Sequence, residues 1–190
     1  MARWQPDSRG RLAKAALVLY DDQGFENTTV AEIAASAGVT ERTFFRHFPD
    51  KREVLFAGGI DLGALAAEGV AAAAPGLSPL DAAMAGLNGL IAVIGERHEF
   101  AARRRRIIDT NPELRERDLI KNAEMSATLA GALRDYGLDE ETATLAAEAA
   151  VGAFRVAWLR WTASKDGRPP LADQVQESLE RLRTLTLGGL

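Results

Sequence analysis

The residues best equipped to recognise another molecule lie in Thr40–Lys51, TERTFFRHFPDK. On a short helix, Thr40, Glu41, Arg42, Thr43, Phe45, Arg46 and His47 share an outward face, while Phe44 and Phe48 fall on the opposite side. Such a face carries donors for phosphate oxygens and base edges. Arg reads guanine bidentately, and Thr donates, accepts or touches a thymine methyl. Just beyond, Lys51 and Arg52 stand at an expected helix start, where cations oppose the helix dipole. Charges set against local preference suggest an external anion, and phosphate is the obvious one.

Catalytic and metal chemistry finds little material. The chain has no cysteine and two histidines. A disulfide framework, a thiolate metal site and a cysteine nucleophile are therefore excluded together. His47 belongs to the helix just described, and His98 stands beside Glu96 and Glu99 with no second histidine at metal-ligand spacing. Gly58, Gly59 and Gly63 follow no strand, and no serine has an elbow context, so neither a phosphate loop nor an acyl-transfer site is supported. The reading is of a non-enzyme without cofactor or metal. The alternatives are an all-helical adaptor that binds protein through the same helices, and a helical enzyme.

The elements that position Thr40–Lys51 are legible. Thr29 and Glu32 make a Thr-x-x-Glu capping box, so a helix begins at Val30. Gly38 ends it, Thr40 caps the next, and Pro49 stops that one after about Phe48. Ile33, Ala34, Ala37, Val39, Phe44 and Phe48 face one core, with small residues at the crossing. Two short helices so joined are a helix-turn-helix, whose second helix fits the major groove of double-stranded DNA.

The run GFENTTVAEIAASAGVTERTFFRHFPDKREVL resembles the DNA-binding module of the tetracycline-repressor (TetR) family of bacterial transcription regulators, over about Leu12–Leu55. The resemblance implies phosphate contacts from Thr29, Thr43, His47 and Lys51, and base contacts from Thr40, Glu41 and Arg42. Many members have a tyrosine where this chain has Phe45, so only apolar contact with sugar or a thymine methyl is open to that side chain. Further along, RIIDTNPELRER from Arg106 to Arg117 is similar to a stretch in C-terminal domains of actinobacterial members, including mycofactocin-type regulators.

Composition and punctuation carry the reading to the rest of the chain. With 190 residues and 47% hydrophobic content there is ample material for a buried core. The net charge of −4 divides unevenly, since residues 1–52 hold eight Lys or Arg against seven Asp or Glu. A faintly basic module argues for a local basic face and site-specific binding over a nonspecific coat. The sequence shows no signal peptide and no membrane span, so a cytoplasmic protein is expected.

These signals give an all-α fold of about nine helices, divided into a DNA-binding domain at 1–50, complete by Phe48, and a helical ligand-binding and dimerisation domain at 51–190. A first helix is expected from Asp7 or Ser8 to Gln23, and a long fourth from Asp50 to about Ala73. Later helices are expected over Pro79–Gly95, Arg97–Asp109, Pro112–Tyr136, Glu140–Ala163 and from Leu171. An N-terminal arm with Arg3 and Trp4 has the composition to touch DNA. The run Arg103–Arg106 is either a solvated face or a contact near the DNA module.

Met84, Leu87, Ile91, Phe100, Ile107, Met125, Phe154, Trp158 and Trp161 supply large apolar surface for a small-molecule pocket among helices four to eight, with Arg103, Asn122 or Arg155 to orient a ligand. Ala149, Ala153 and Val156 on the eighth helix and Leu179 and Leu182 on the ninth are candidates for a homodimer interface. Together with the resemblance, these residues suggest a dimeric repressor released from a palindromic operator by an unknown effector.

Overall fold

The computed structural model describes residues 7–56 and 61–186. The expected arm with Arg3 and Trp4 lies outside the described residues. Among those described, every regular element is helical: α1 (Ser8–Gln23), α2 (Val30–Ser36), α3 (Glu41–His47), a 3-10 turn (Glu53–Phe56), α4 (Leu62–Ala71), α5 (Pro79–Gly95), α6 (His98–Thr110), α7 (Pro112–Asp135), α8 (Glu140–Ala163) and α9 (Leu171–Thr186). Two compact units result, residues 1–60 with 103–119 and residues 61–102 with 120–190. The sequence suggests one cut at residue 50, whereas both units are discontinuous because α6 and α7 each contribute to both.

Local signals account for most boundaries. The Asp7 carboxylate accepts from the Gly10 amide at 2.8 Å to start α1, and Gly24, with φ of 87°, ends it. At α2 the capping box is fully formed: the Glu32 amide donates to the Thr29 hydroxyl, and the Thr29 amide donates to the Glu32 carboxylate at 2.8 Å. That bond holds the Glu32 carboxyl below its usual range. Gly38 adopts φ of 66° after α2, and Thr40 caps α3 by accepting from the Thr43 amide. The third helix closes at His47, with Phe48 extended at φ −138° and ψ 133°, the conformation that a following proline favours.

The fourth helix departs from expectation. Asp50 does accept from the amides of Arg52 and Glu53, at 2.8 and 3.1 Å, but this cap leads only into the 3-10 turn. A separate α4 starts at Leu62 under its own cap, Asp61, which accepts from the Ala64 amide at 3.0 Å. The continuous Asp50–Ala73 helix is thus replaced by two pieces. Gly58 and Gly59, poor helix formers, lie between them and outside the described residues.

In the first unit, Leu12, Ala16, Ile33 and Phe44 are fully buried, and the core continues through Val54 and Leu55 to Ile107, Ile108 and Leu114. The module is therefore not complete by Phe48. In the second unit α4 packs on α5 and α8 on α9, around buried Leu87, Leu129, Leu133, Phe154 and Trp161. A Cβ built at Gly69 of α4 would fall inside van der Waals contact of the Ala85 carbonyl oxygen and 2.9 Å from Gly86 Cα. One at Gly86 would lie 2.6 Å from Leu129 and 2.9 Å from Val70. The α4–α5 crossing is backbone on backbone, and only glycine permits it.

Candidate nucleic-acid interface

The helix α3 is held by its inner side and free on its outer side. Phe44 is fully buried, with its ring 5.5 Å from those of both Phe45 and Phe48 in edge-on geometry. Thr40, Glu41, Arg42, Phe45 and Arg46 are exposed and Thr43 is half-buried. Phe45 is 54% exposed, a large apolar area to leave in water on an otherwise polar face. The Thr40 and Thr43 hydroxyls lie 3.2 Å apart at the N-terminal end of α3, where free amides favour an anion. Thr29 is exposed at the start of α2, its hydroxyl donating to Glu32 at 2.7 Å.

Two expected contacts are also engaged within the chain. The ring nitrogen Nε2 of His47 lies 2.7 Å from the Ser8 hydroxyl, which ties the end of α3 to the start of α1. Lys51 Nζ donates to the carbonyls of Phe25 at 2.9 Å, Thr28 at 3.3 Å and Glu26 at 3.4 Å, and sits 4.3 Å from the Phe25 ring centre. The Tyr20 hydroxyl returns a bond to the Lys51 carbonyl at 2.6 Å. Burial, and then the Asp50 charge, push that phenol above its usual range. Lys51 thereby clasps the α1–α2 turn, a role that its place in the sequence does not reveal. Another such residue is Arg11, whose Nη1 donates at 2.8 Å to the Ala37 carbonyl at the end of α2.

The arginine run belongs to this unit from Arg103 onward. Arg103 pairs with Asp21 at 3.3 Å. Arg104 Nε donates at 2.8 Å to the Leu55 carbonyl, its guanidinium lies 4.7 Å from the Phe56 ring, and Asp118 is 3.6 Å away. Arg105 bridges Asp109 and Asp118, and Arg117 pairs with Glu53. Burial presses the Arg104 guanidinium below its usual range, while Asp118 opposes the shift. Arg103 and Arg104 thus contact α1 and the 3-10 turn of the first unit rather than forming a solvated face. The exposed member of the run is Arg106.

The residues suggested for a ligand pocket are divided between the two units. Ile107 lies in the core of the first unit, and Phe100 is 38% exposed. In the second unit Met84 and Ile91 line a cavity between α5 and α9, Phe154 stacks with Trp158 at 6.1 Å, and Trp161 is buried with its indole donating to the Gly167 carbonyl at 3.0 Å. Leu87 and Met125 are buried in the packing. Of the proposed orienting groups, Arg103 is paired with Asp21, Asn122 is half-buried and Arg155 is exposed. Among the interface candidates, Ala153 and Leu179 are buried within this chain, Ala149 and Leu182 are half-buried, and Val156 is 52% exposed.

Residues 12–57 match the family model for bacterial regulatory proteins of the tetR family. This stretch is a tetR-family module. It is 51% identical over 47 residues to the transcriptional regulator TcmR of Streptomyces glaucescens, covering 25% of this chain and 21% of that protein. It is 38% identical over 55 residues to an uncharacterized HTH-type transcriptional regulator of Mycobacterium tuberculosis, covering 29% of each. The chain thus matches under a third of the length of these curated relatives. Likeness over the whole chain is found with solved structures. Thermus thermophilus FadR, a TetR-family transcriptional repressor in complex with lauroyl-CoA, is 25% identical with a TM-score of 0.56, covering 92% of this chain and 93% of that one. The SmeT–triclosan complex shares the fold at a TM-score of 0.59 and 17% identity, covering 94% and 90%. The likeness in fold thus extends beyond residues 12–57 to most of the chain.

Proposed function

We propose that this chain is a sequence-specific transcriptional regulator, a cytoplasmic homodimer that represses from a palindromic operator in double-stranded DNA and is released by a small-molecule effector. The observation that carries it is the outer face of α3, where Arg42, Phe45 and Arg46 are exposed on a capped helix anchored by buried Phe44. In a major groove Arg42, with Thr40 and Glu41, meets base edges, Phe45 touches sugar or a thymine methyl, and Thr29, Thr43 and His47 are placed for phosphate. The effector reading is supported by the lauroyl-CoA and triclosan complexes of the similar structures. An effector moves the DNA equilibrium only by its differential affinity for the two states, and a hundredfold loss of operator affinity takes roughly 2.7 kcal/mol of such difference.

The test is fluorescence anisotropy with DNA from upstream of the chain's own gene and with a shuffled control, over a range of salt. Sequence-selective binding that weakens steeply with salt is expected. Equal affinity for both DNAs, or none for either, would overturn the reading.

A further inference from the structure

Several cations of the first unit are spent inside it. Arg11 donates to the Ala37 carbonyl, Lys51 to the carbonyls of Phe25 and Thr28, and Arg52 pairs with Asp50. Arg9 differs from these. It is exposed in the first turn of α1, with its guanidinium over the Phe48 ring at the end of α3, 5.4 Å from the ring centre. Among the described residues no carboxylate is within ion-pair reach of it. A guanidinium resting on an aromatic ring is held in place without spending its N–H donors. That open fork matches a pair of phosphate oxygens.

The residue before it acts on the same end of α3. The Ser8 hydroxyl oxygen lies 2.7 Å from Nε2 of His47, and His47 stands one turn beyond Thr43 on the same edge of the helix, half-buried. A neutral imidazole carries one N–H, so a ring nitrogen that accepts from a neighbour leaves the proton on the other. With the Ser8 hydroxyl donating to Nε2, the proton sits on Nδ1, and Nδ1–H is the donor left for an outside acceptor. The carboxylates next to these residues are both occupied: Asp7 accepts from the Gly10 amide at 2.8 Å, and Asp50 pairs with Arg52 at 2.9 Å. Arg9, Arg46, Lys51 and Arg52 outnumber Asp7 and Asp50 at this end of α3, which favours an incoming anion.

We infer that the first turn of α1 completes the hold on the DNA backbone at the C-terminal end of α3: Arg9 binds a phosphate directly, and Ser8 is a positioning residue that keeps the His47 proton on Nδ1 for a phosphate. This rests on the DNA-binding reading above and extends it to residues outside the helix-turn-helix. Phosphates carry no base identity, so the contribution is to affinity and register and is equal on every sequence.

Fluorescence anisotropy of the full chain on upstream and shuffled DNA, across a range of salt, tests it. Arg9→Ala should weaken both DNAs by the same factor and reduce the slope of log affinity against log salt by about one. Arg9→Met keeps an apolar stem over Phe48 without the charge and should lose the same slope, which separates phosphate binding from packing. Ser8→Ala should weaken both DNAs roughly threefold to tenfold. Ser8→Thr should restore the affinity, and in a His47→Ala background Ser8→Ala should cost nothing further. An unchanged salt slope in Arg9→Met, or losses at Ser8 and His47 that add in full, would overturn the inference. The preference of the wild type for upstream over shuffled DNA enters neither criterion, so the regulatory reading and this one fail separately.

Discussion

Lys51 and Arg42 are both cations beside α3, yet their surroundings give them different roles. Lys51 is half-buried and spreads its ammonium over the carbonyls of the α1–α2 turn, above the Phe25 ring. Hydrogen bonds from a charged group contribute about 1.5 to 3 kcal/mol, and partial exposure discounts this. Lys51→Ala should therefore lower the stability of the chain by about 1 to 2 kcal/mol in thermal unfolding, and weaken all DNA sequences alike. An unchanged melting temperature would return Lys51 to a purely phosphate-binding role. Arg42 is exposed on α3. Arg42→Ala should leave stability unchanged and cost about 1 to 3 kcal/mol at one operator position, seen as relaxed preference in a panel of single-base variants. Equal losses on operator and shuffled DNA would remove it from base reading. Phe45 extends the same argument. Replacing thymine by deoxyuracil at the contacted step should weaken the wild type and leave Phe45→Ala indifferent.

Among the elements, α1, α2 and α3 are readable because each carries its own punctuation: a cap, a positive-φ glycine or a proline. The fourth misleads for an instructive reason, since Asp50 and Glu53 form a genuine cap-like turn that the chain then abandons for the cap at Asp61. A start signal reports where a helix can begin, and without a stop signal behind it says nothing of how far the helix continues. Burial is likewise legible and partnership is not: Ile107 reads as apolar and inward, but its neighbours in the core come from α1 to α3, far away in sequence. The same holds for Arg104, whose partners are Leu55, Phe56 and Asp118. Arg104→Met should destabilise the first unit by about 1 to 3 kcal/mol in denaturant unfolding, because the Leu55 carbonyl loses its donor while Asp118 keeps Arg105. A loss below a few tenths of a kcal/mol would mark the contact as incidental.

The cap of α2 makes a pH prediction at the same scale. Glu32 is held below its ordinary range by the Thr29 amide and then its hydroxyl. Its contribution is therefore present above about pH 4.3, the ordinary carboxylate value, and is lost as pH falls through the depressed one. Acid unfolding of Glu32→Gln, followed by circular dichroism, should be shallower over that window. An identical acid limb would show that the cap does not titrate with folding.

For the whole molecule the open question is which surface a second copy would cover. Leu145, Ala149, Gly152, Val156 and Leu159 recur along one side of α8 at helical spacing. Leu145 is 64%, Val156 52% and Leu159 41% exposed, and a Cβ at Gly152 would meet nothing within 4 Å. Leu185 on α9 is 70% exposed. An apolar stripe of roughly 20 Å along a helix is costly in water, and a second copy about a two-fold axis would cover it with the same stripe. Ala153 and Leu179, which the sequence suggests for this surface, are instead consumed by packing inside the chain. A homodimer through α8 and α9 would present two α3 helices to half-sites about 34 to 36 Å apart, which is why the operator is expected to be palindromic. Val156→Lys combined with Leu159→Lys should yield a monomer by light scattering at micromolar concentration, with helix content unchanged and operator binding reduced to the level of shuffled DNA. A dimer that survives both lysines, or a wild type that is monomeric under those conditions, would place the interface elsewhere and remove the physical basis for the palindrome.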